Sequence, residues 1–246
     1  MTGFIDRPAG VSDTAASSWT ALTASSLSKR RGDHQQFATL VPPDGDAYLR
    51  VQRTNVGGGS HLDLHVDEVD EVDEVVLHTM DVGAEVDRLP GAPPRLRSPA
   101  GLDCCVVAHH GESVRPFPVR SHSGVLCLFD QLCIDIPACC FAPECEFWSR
   151  LTGWKQRASS VHSELLYLVR PPWTPLRLPL QRRGDSSGPA RAHLDIACDD
   201  VPRLVADHKR LGGTVLGVFE HWTAMNDPTG EPYCITGRDP LTGSLS

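Results

Sequence analysis

The chain of 246 residues has no apolar run near the roughly 20 residues that span a bilayer. Its start, MTGFIDRPAG, has neither the basic beginning nor the apolar core of a secretory signal. A cytoplasmic protein is expected. Surplus positive charge is missing too: 23 Lys and Arg stand against 31 Asp and Glu, a net −8. Such a chain repels phosphate backbones, which argues against a nucleic-acid partner. No P-loop or GxGxxG occurs, and the Gly-rich VGGGS from Val56 leads to neither Lys-Ser/Thr nor a helix, so it reads as a loop. Paired CxxC knuckles are absent, which leaves a structural zinc site without support. The nine cysteines are an odd number on a chain without a signal, so they are expected as reduced thiols, mostly buried as small apolar residues.

What the chain does contain is itself, twice. HLDLHVDE begins at His61 and HLDIACDD at His193. Trp19 matches Trp148, Leu22 matches Leu151, and Asp6 and Pro8 match Asp135 and Pro137, all 129 positions apart. Gln52 and Arg53 match Gln181 and Arg182 in the same register. The histidines break the spacing by three residues, because the second copy has a longer loop before its histidine and the first a longer acidic run after it. The register then returns with Gly83 and Gly212, Gly101 and Gly230, Cys105 and Cys234. The expected division is a first domain at 1–115, a Pro/Ser/Gly-rich connector at 116–124 and a second domain at 125–246.

Each copy reads as strand, helix, strands, and then the same again. In the second copy LCLFDQLCIDIP is a strand, and APECEFWSRLTGW a helix with acidic residues early and Gly153 as its stop. SELLYLVRP and PLRLPLQRR are strands, the latter edge or bulged because of Pro179. RAHLDIAC is a strand and DDVPRLVADHKRLGG a helix. TVLGVFEHW is one strand, NDPTG a turn and EPYCITG the closing strand. The first copy follows suit, with a helix from Asp67 to Val82. Trp19 and Trp148 sit at apolar helical positions and are expected in the core.

The stretches QLCIDIPA…FWSRLTGW, LQRR…AHLDIACDDV, LGGTV and MNDPTGEPYCI resemble the glyoxalase-like domains of the vicinal oxygen chelate superfamily, which includes glyoxalase I, bleomycin-resistance proteins and extradiol dioxygenases. The resemblance covers most of both copies. It implies an α+β fold of tandem domains, each of two βαβββ modules curling into an open, cup-shaped sheet that holds a ligand.

In metal-dependent members, four ligands, typically His and Glu, come from the first and last strands of each module. The matching positions are Gln131, Gln181, His193 and Cys234 in the second copy, and fall near Thr2, Gln52, His61 and Cys105 in the first. Gln is a poor ligand for a catalytic divalent ion, and Cys stands where metal enzymes of the family have Glu. Glu231, three residues before Cys234, falls on the opposite face of its strand. No metal is therefore expected; if one is held, His193 and Cys234 are its ligands. The expected ligand-binding residues are His193, Gln131, Gln181, Trp222 and Cys234, with His61 and Gln52 in the first copy. A nucleophilic Cys234–His193 pair is a further alternative.

The reading that follows is a small-molecule binder, its ligand aromatic or drug-like, akin to the drug-sequestering branch and working without the usual metal. One alternative is a metal-dependent lyase, isomerase or dioxygenase. Another is a non-catalytic scaffold or regulator, which suits the first copy, whose helix is poor in large apolar residues. A monomer or homodimer is expected.

Overall fold

Four times the chain runs an alternating strand into a helix and then into a three-stranded meander. The computed structural model describes residues 1–55, 57–66, 69–88, 93–109, 113–185 and 187–245, with 69–71 by backbone alone. Val56 of the Gly-rich loop and Asp67 and Glu68, expected to open a helix, lie outside them. The first module holds β1 (Thr2–Pro8), α1 (Ser12–Leu22), β2 (Ser26–Leu27), β3 (Phe37–Val41) and β4 (Leu49–Thr54). The second holds β5 (Gly59–Val66), α2 (Val69–Met80), β6 (Glu85–Asp87), β7 (Arg95–Arg97) and β8 (Asp103–Ala108). After a short β9 (Val119–Arg120), the third holds β10 (Leu126–Ile136), α3 (Phe141–Thr152), β11 (Gln156–Ala158), β12 (Leu165–Leu168) and β13 (Leu178–Arg182). The fourth holds β14 (Arg191–Cys198), α4 (Val201–Arg210), β15 (Thr214–Val218), β16 (Trp222–Asn226) and β17 (Pro232–Gly237).

One pairing rule serves all four modules. The first strand pairs parallel with the last, and the last carries the antiparallel meander. The helix is the crossover that a parallel pair requires. The helix ends follow their residues: Asp200 accepts from the Arg203 N–H at 3.1 Å as N-cap of α4, and Gly153 closes α3 at φ +68°. Two expectations change. TVLGVFEHW is not one strand: it breaks after Val218 and resumes at Trp222 as β16. Nor is β13 an edge strand, since it pairs β12 on one side and β10 on the other. Pro179 is accommodated because the β10 register begins one residue later, at Leu180.

Packing groups the modules in a way the repeat does not announce. One compact unit takes residues 3–60, 113–131 and 193–246, essentially the first and fourth modules; the other takes 1–2, 61–112 and 132–192, essentially the second and third. We call them outer and inner for their order in the sequence.

In the outer unit, Trp19 is buried between Phe129 and Tyr233, at ring distances of 4.9 and 5.6 Å. Small residues Ser12, Ala15, Ala16 and Ser18 face inward on α1 and let the helix sit close, which explains its poverty in large apolar side chains. Two ion pairs are buried here, Arg7 with Asp227 and Arg238 with Asp130. The segment read as a connector is tied down at Phe117, which donates its N–H to Asp44, and just before it Ser113 and Val114 donate N–H to Asp46. In the inner unit Phe147 and Trp148 on α3 and Leu96 and Leu102 of the second module are buried.

Candidate functional site

Strand alternation sorts β14 into two faces. Leu194, Ile196 and Cys198 point into the apolar core, each almost wholly buried. His193 and Asp195 therefore share the other face. On β17, Tyr233 and Ile235 take the core side, which leaves Cys234 on the site side. The parallel register sets Asp195 directly against Cys234. The three side chains converge: His193 Nε2 lies 3.2 Å from Asp195 Oδ1 and 3.6 Å from Cys234 Sγ. All three donor atoms fall within 4.8 Å of one another. Asp195 Oδ1 is buried, with no hydrogen-bond donor aligned on it.

The inner unit repeats the arrangement less tightly. Leu62 and Leu64 on β5 face the core, so His61 and Asp63 share the opposite face, and Asp63 registers with Cys105. Cys104 is the core residue of that pair of thiols. Here His61 Nε2 stands 3.8 Å from Asp63 Oδ1. Burial first, then the charge of Asp63 and the hydrogen bond to it, push the Cys105 thiol up to about 12. The same strand carries His65, whose Nε2 lies 2.9 Å from the Thr2 hydroxyl.

The structure thus brings His193 and Cys234 together, and sets His61 and Cys105 on neighbouring strands. Gln131 is buried on β10 of the outer unit. Gln181 belongs to the inner unit, where it accepts from the Cys133 thiol at 3.6 Å. Gln52 sits on β4, in register with Asp6 and Phe37. Trp222 stacks on Phe219 at 4.9 Å and 20°. The two line an open groove of about 540 Å³ with Val201, Val205 and Val218; His193, Asp195 and Cys234 are not among the residues that line it.

The residues that sequence reasoning missed are Asp195 and Asp63. The signal was present: in a strand written His-x-Asp, positions i and i+2 share a face, so the histidine brings its own carboxylate. The acid of the site lies beside the histidine on β14, not on the last strand. With Asp195 included, the donor set is imidazole, carboxylate and thiol. Nitrogen and oxygen ligands at about 2.0–2.1 Å and sulfur at about 2.3 Å, at tetrahedral angles, lie roughly 3.3–3.6 Å apart. The 3.2 and 3.6 Å spacings around His193 match that pattern. These three residues fit a divalent transition-metal ion with one position left open.

The model of the glyoxalase-like domain matches residues 4–107 and again 131–236. The chain belongs to this family, as a tandem pair within the vicinal oxygen chelate fold. No curated protein matches it by sequence. Among solved structures it is similar to 2,2',3-trihydroxybiphenyl 1,2-dioxygenase from Sphingomonas wittichii, at 14% identity and a TM-score of 0.65 over 96% of this chain and 88% of that one. It is similar to the Mn(II)-bound glyoxalase from Novosphingobium aromaticivorans, at 15% and 0.63 over 100% and 85%. The 2,3-dioxygenase LapB from Pseudomonas sp. KL28 follows at 10% and 0.66 over 96% and 90%. At these identities the likeness speaks for the fold alone. No helix among the described residues is long and apolar enough to cross a membrane.

Proposed function

We propose that the C-terminal copy binds a small organic molecule carrying neighbouring oxygen atoms, at a divalent ion held by His193, Asp195 and Cys234. The observation that carries this reading is the convergence of three unlike donors within 4.8 Å of one another, with both spacings from His193 at those a tetrahedral ion requires. Three protein ligands leave one position open, the pattern of catalytic sites and not of closed structural ones. When bound, the ion supplies Lewis acidity, polarising a ligand oxygen. The chain's own groups do the rest. Asp195 supplies the anionic oxygen beside the imidazole and balances positive charge. Its position on β14, packed through Leu194 and Ile196 against the core, holds both side chains rigid. Gln131, buried on β10, offers an amide to a ligand's polar group. Structural neighbours named as catechol and trihydroxybiphenyl dioxygenases suggest aromatic diols as the first compounds to try.

A second reading keeps the metal-free binder. It is favoured by the 3.2 Å His193–Asp195 contact, which is also a sound ion pair when the imidazole is protonated. Cobalt(II) separates the two. On the first reading, cobalt(II) added to the purified protein gives a thiolate-to-metal absorption in the near ultraviolet that Cys234→Ser abolishes, and catechol shifts the visible bands. A folded protein that takes up no cobalt, yet changes its tryptophan fluorescence with catechol, contradicts the first reading and supports the second.

A further inference from the structure

We propose that Cys139 and Cys140 form a redox modification site, a vicinal dithiol that a hydroperoxide converts reversibly to a disulfide. The inference is independent of the metal reading and concerns the inner unit. Of the nine cysteines, five are buried, and Cys105 and Cys234 are half-buried on paired strands. Burial pushes the thiols of Cys127, Cys145 and Cys198 up to about 12, which keeps them unreactive. Cys139 is the exposed one, and its sulfur lies 3.2 Å from that of Cys140.

The pair occupies a single turn of 3-10 helix between β10 and α3, opened by Pro137. Cys140 is the N-cap of α3, but its side chain makes no capping hydrogen bond. Its sulfur lies beside that of its neighbour, in a turn closed by the Cys140 N–H donating to the Pro137 carbonyl at 3.0 Å. The matching positions in the first copy, in the same 129-residue register, are Gly10 and Val11. The pair is therefore a property of one copy and not of the fold.

The Cys139 thiolate attacks the outer oxygen of the hydroperoxide; the O–O bond breaks, an alcohol or water leaves, and Cys139 becomes a sulfenic acid. The Cys140 sulfur attacks that sulfur, the S–O bond breaks, and water leaves with the Cys140 proton. The two thiols lose two electrons and two protons; the peroxide gains them. Adjacent Cα atoms are about 3.8 Å apart, below the roughly 4.4 Å at which ordinary disulfides begin. The ring is strained, so a small thiol opens it again, which suits a reversible mark and not a structural clamp.

The experiment treats the native chain with a stoichiometric amount of hydrogen peroxide, alkylates the free thiols and maps the peptides by mass. The expected product is one peptide holding both residues, two hydrogen masses lighter and unalkylated, that returns to the dithiol with a few equivalents of dithiothreitol. Cys139→Ser, a surface change that leaves the fold intact, loses that product. A sulfinic or sulfonic acid at Cys139 beside an alkylated Cys140 overturns the proposal. So does a Cys139 disulfide to a second chain, or a pair still fully alkylated after other thiols have oxidised.

Discussion

The outer and inner units solve one problem from opposite sides. Each must satisfy a buried indole N–H and backbone N–H of a tight turn before the last strand of one of its modules. In the outer unit the acceptor is on the turn: Asp227 takes Trp19 Nε1 at 3.0 Å, together with the Thr229 and Glu231 N–H groups. In the inner unit it is on the helix: Glu144 takes Trp148 Nε1 at 2.7 Å and the Ala100 N–H at 2.7 Å. In the 129-residue register Asp227 corresponds to Ser98 and Glu144 to Ala15, so the carboxylate has changed sides while the geometry it serves has stayed. The difference lies in charge. Asp227 meets the buried guanidinium of Arg7, whereas Arg7 is matched by Ile136 in the inner unit. Burial raises both carboxyl pKa values; around Asp227, Arg7 and the hydrogen bonds outweigh it and bring the value below the usual range. Around Glu144, burial wins and the value rises. A buried donor must find an acceptor, and the fold accepts either element as its source.

The sharpest break in this comparison is Asp227→Ala. It strands a buried Arg7 with no anion and three donors with no acceptor, and should cost about 3–5 kcal/mol; urea unfolding followed by hydrogen exchange should show the loss in residues 3–60 and 193–246 first. Acid is the next largest lever. Burial depresses the His208 pKa to about 4 from its usual 6.5. The unfolded chain therefore binds this proton first, and the outer unit loses stability as pH falls from about 6.5 to 4, by roughly 3 kcal/mol in all. Asp227, with its lowered pKa, adds a further loss below about pH 3.9. Glu144 acts with the opposite sign: its raised pKa makes the folded inner unit the tighter proton binder, so that unit loses stability as pH rises above about 4.3. Hydrogen exchange at pH 7 and pH 5 should show protection falling in the outer unit and holding in the inner one. A uniform change would remove the distinction.

Smaller effects sharpen the account. Glu144→Ala should cost about 2 kcal/mol, because it leaves unsatisfied donors but no stranded cation. Adding Ser98→Asp to it moves the carboxylate to the side used by the outer unit and should recover part of that loss. No recovery would mean that the two solutions are not interchangeable. Trp19→Phe and Trp148→Phe each remove one indole N–H and should cost about 1–2 kcal/mol, measurable by denaturant titration.

The sequence makes the modules legible because they are written in local terms. The period-2 and helical patterns, the Asp200 cap, the Gly153 stop and the DPTG turn all depend on near neighbours. What it hides is tertiary. Arg7 and Asp227 lie 220 positions apart, and nothing along the chain says that the first module packs with the fourth. Trp19 and Trp148 are legible as core residues, but not as donors, since their acceptors sit in different elements of the two units. At the site, His193 and Cys234 stand out as types at expected strand positions. Asp195 is within reach of the same strand rule, because His-x-Asp puts both side chains on one face. The tight outer triad and the wider inner one, 3.2 against 3.8 Å between imidazole and carboxylate, follow from packing that no single strand encodes.

That last contrast carries the functional account, and metal content per chain tests it most directly. The purified protein would be loaded with zinc, iron(II) or manganese, desalted and analysed for bound ion, beside Asp195→Asn and Asp63→Asn. The account predicts one ion held tightly per chain, lost in Asp195→Asn and kept in Asp63→Asn. No ion above background in the folded protein, or an ion that Asp195→Asn leaves in place, would contradict it.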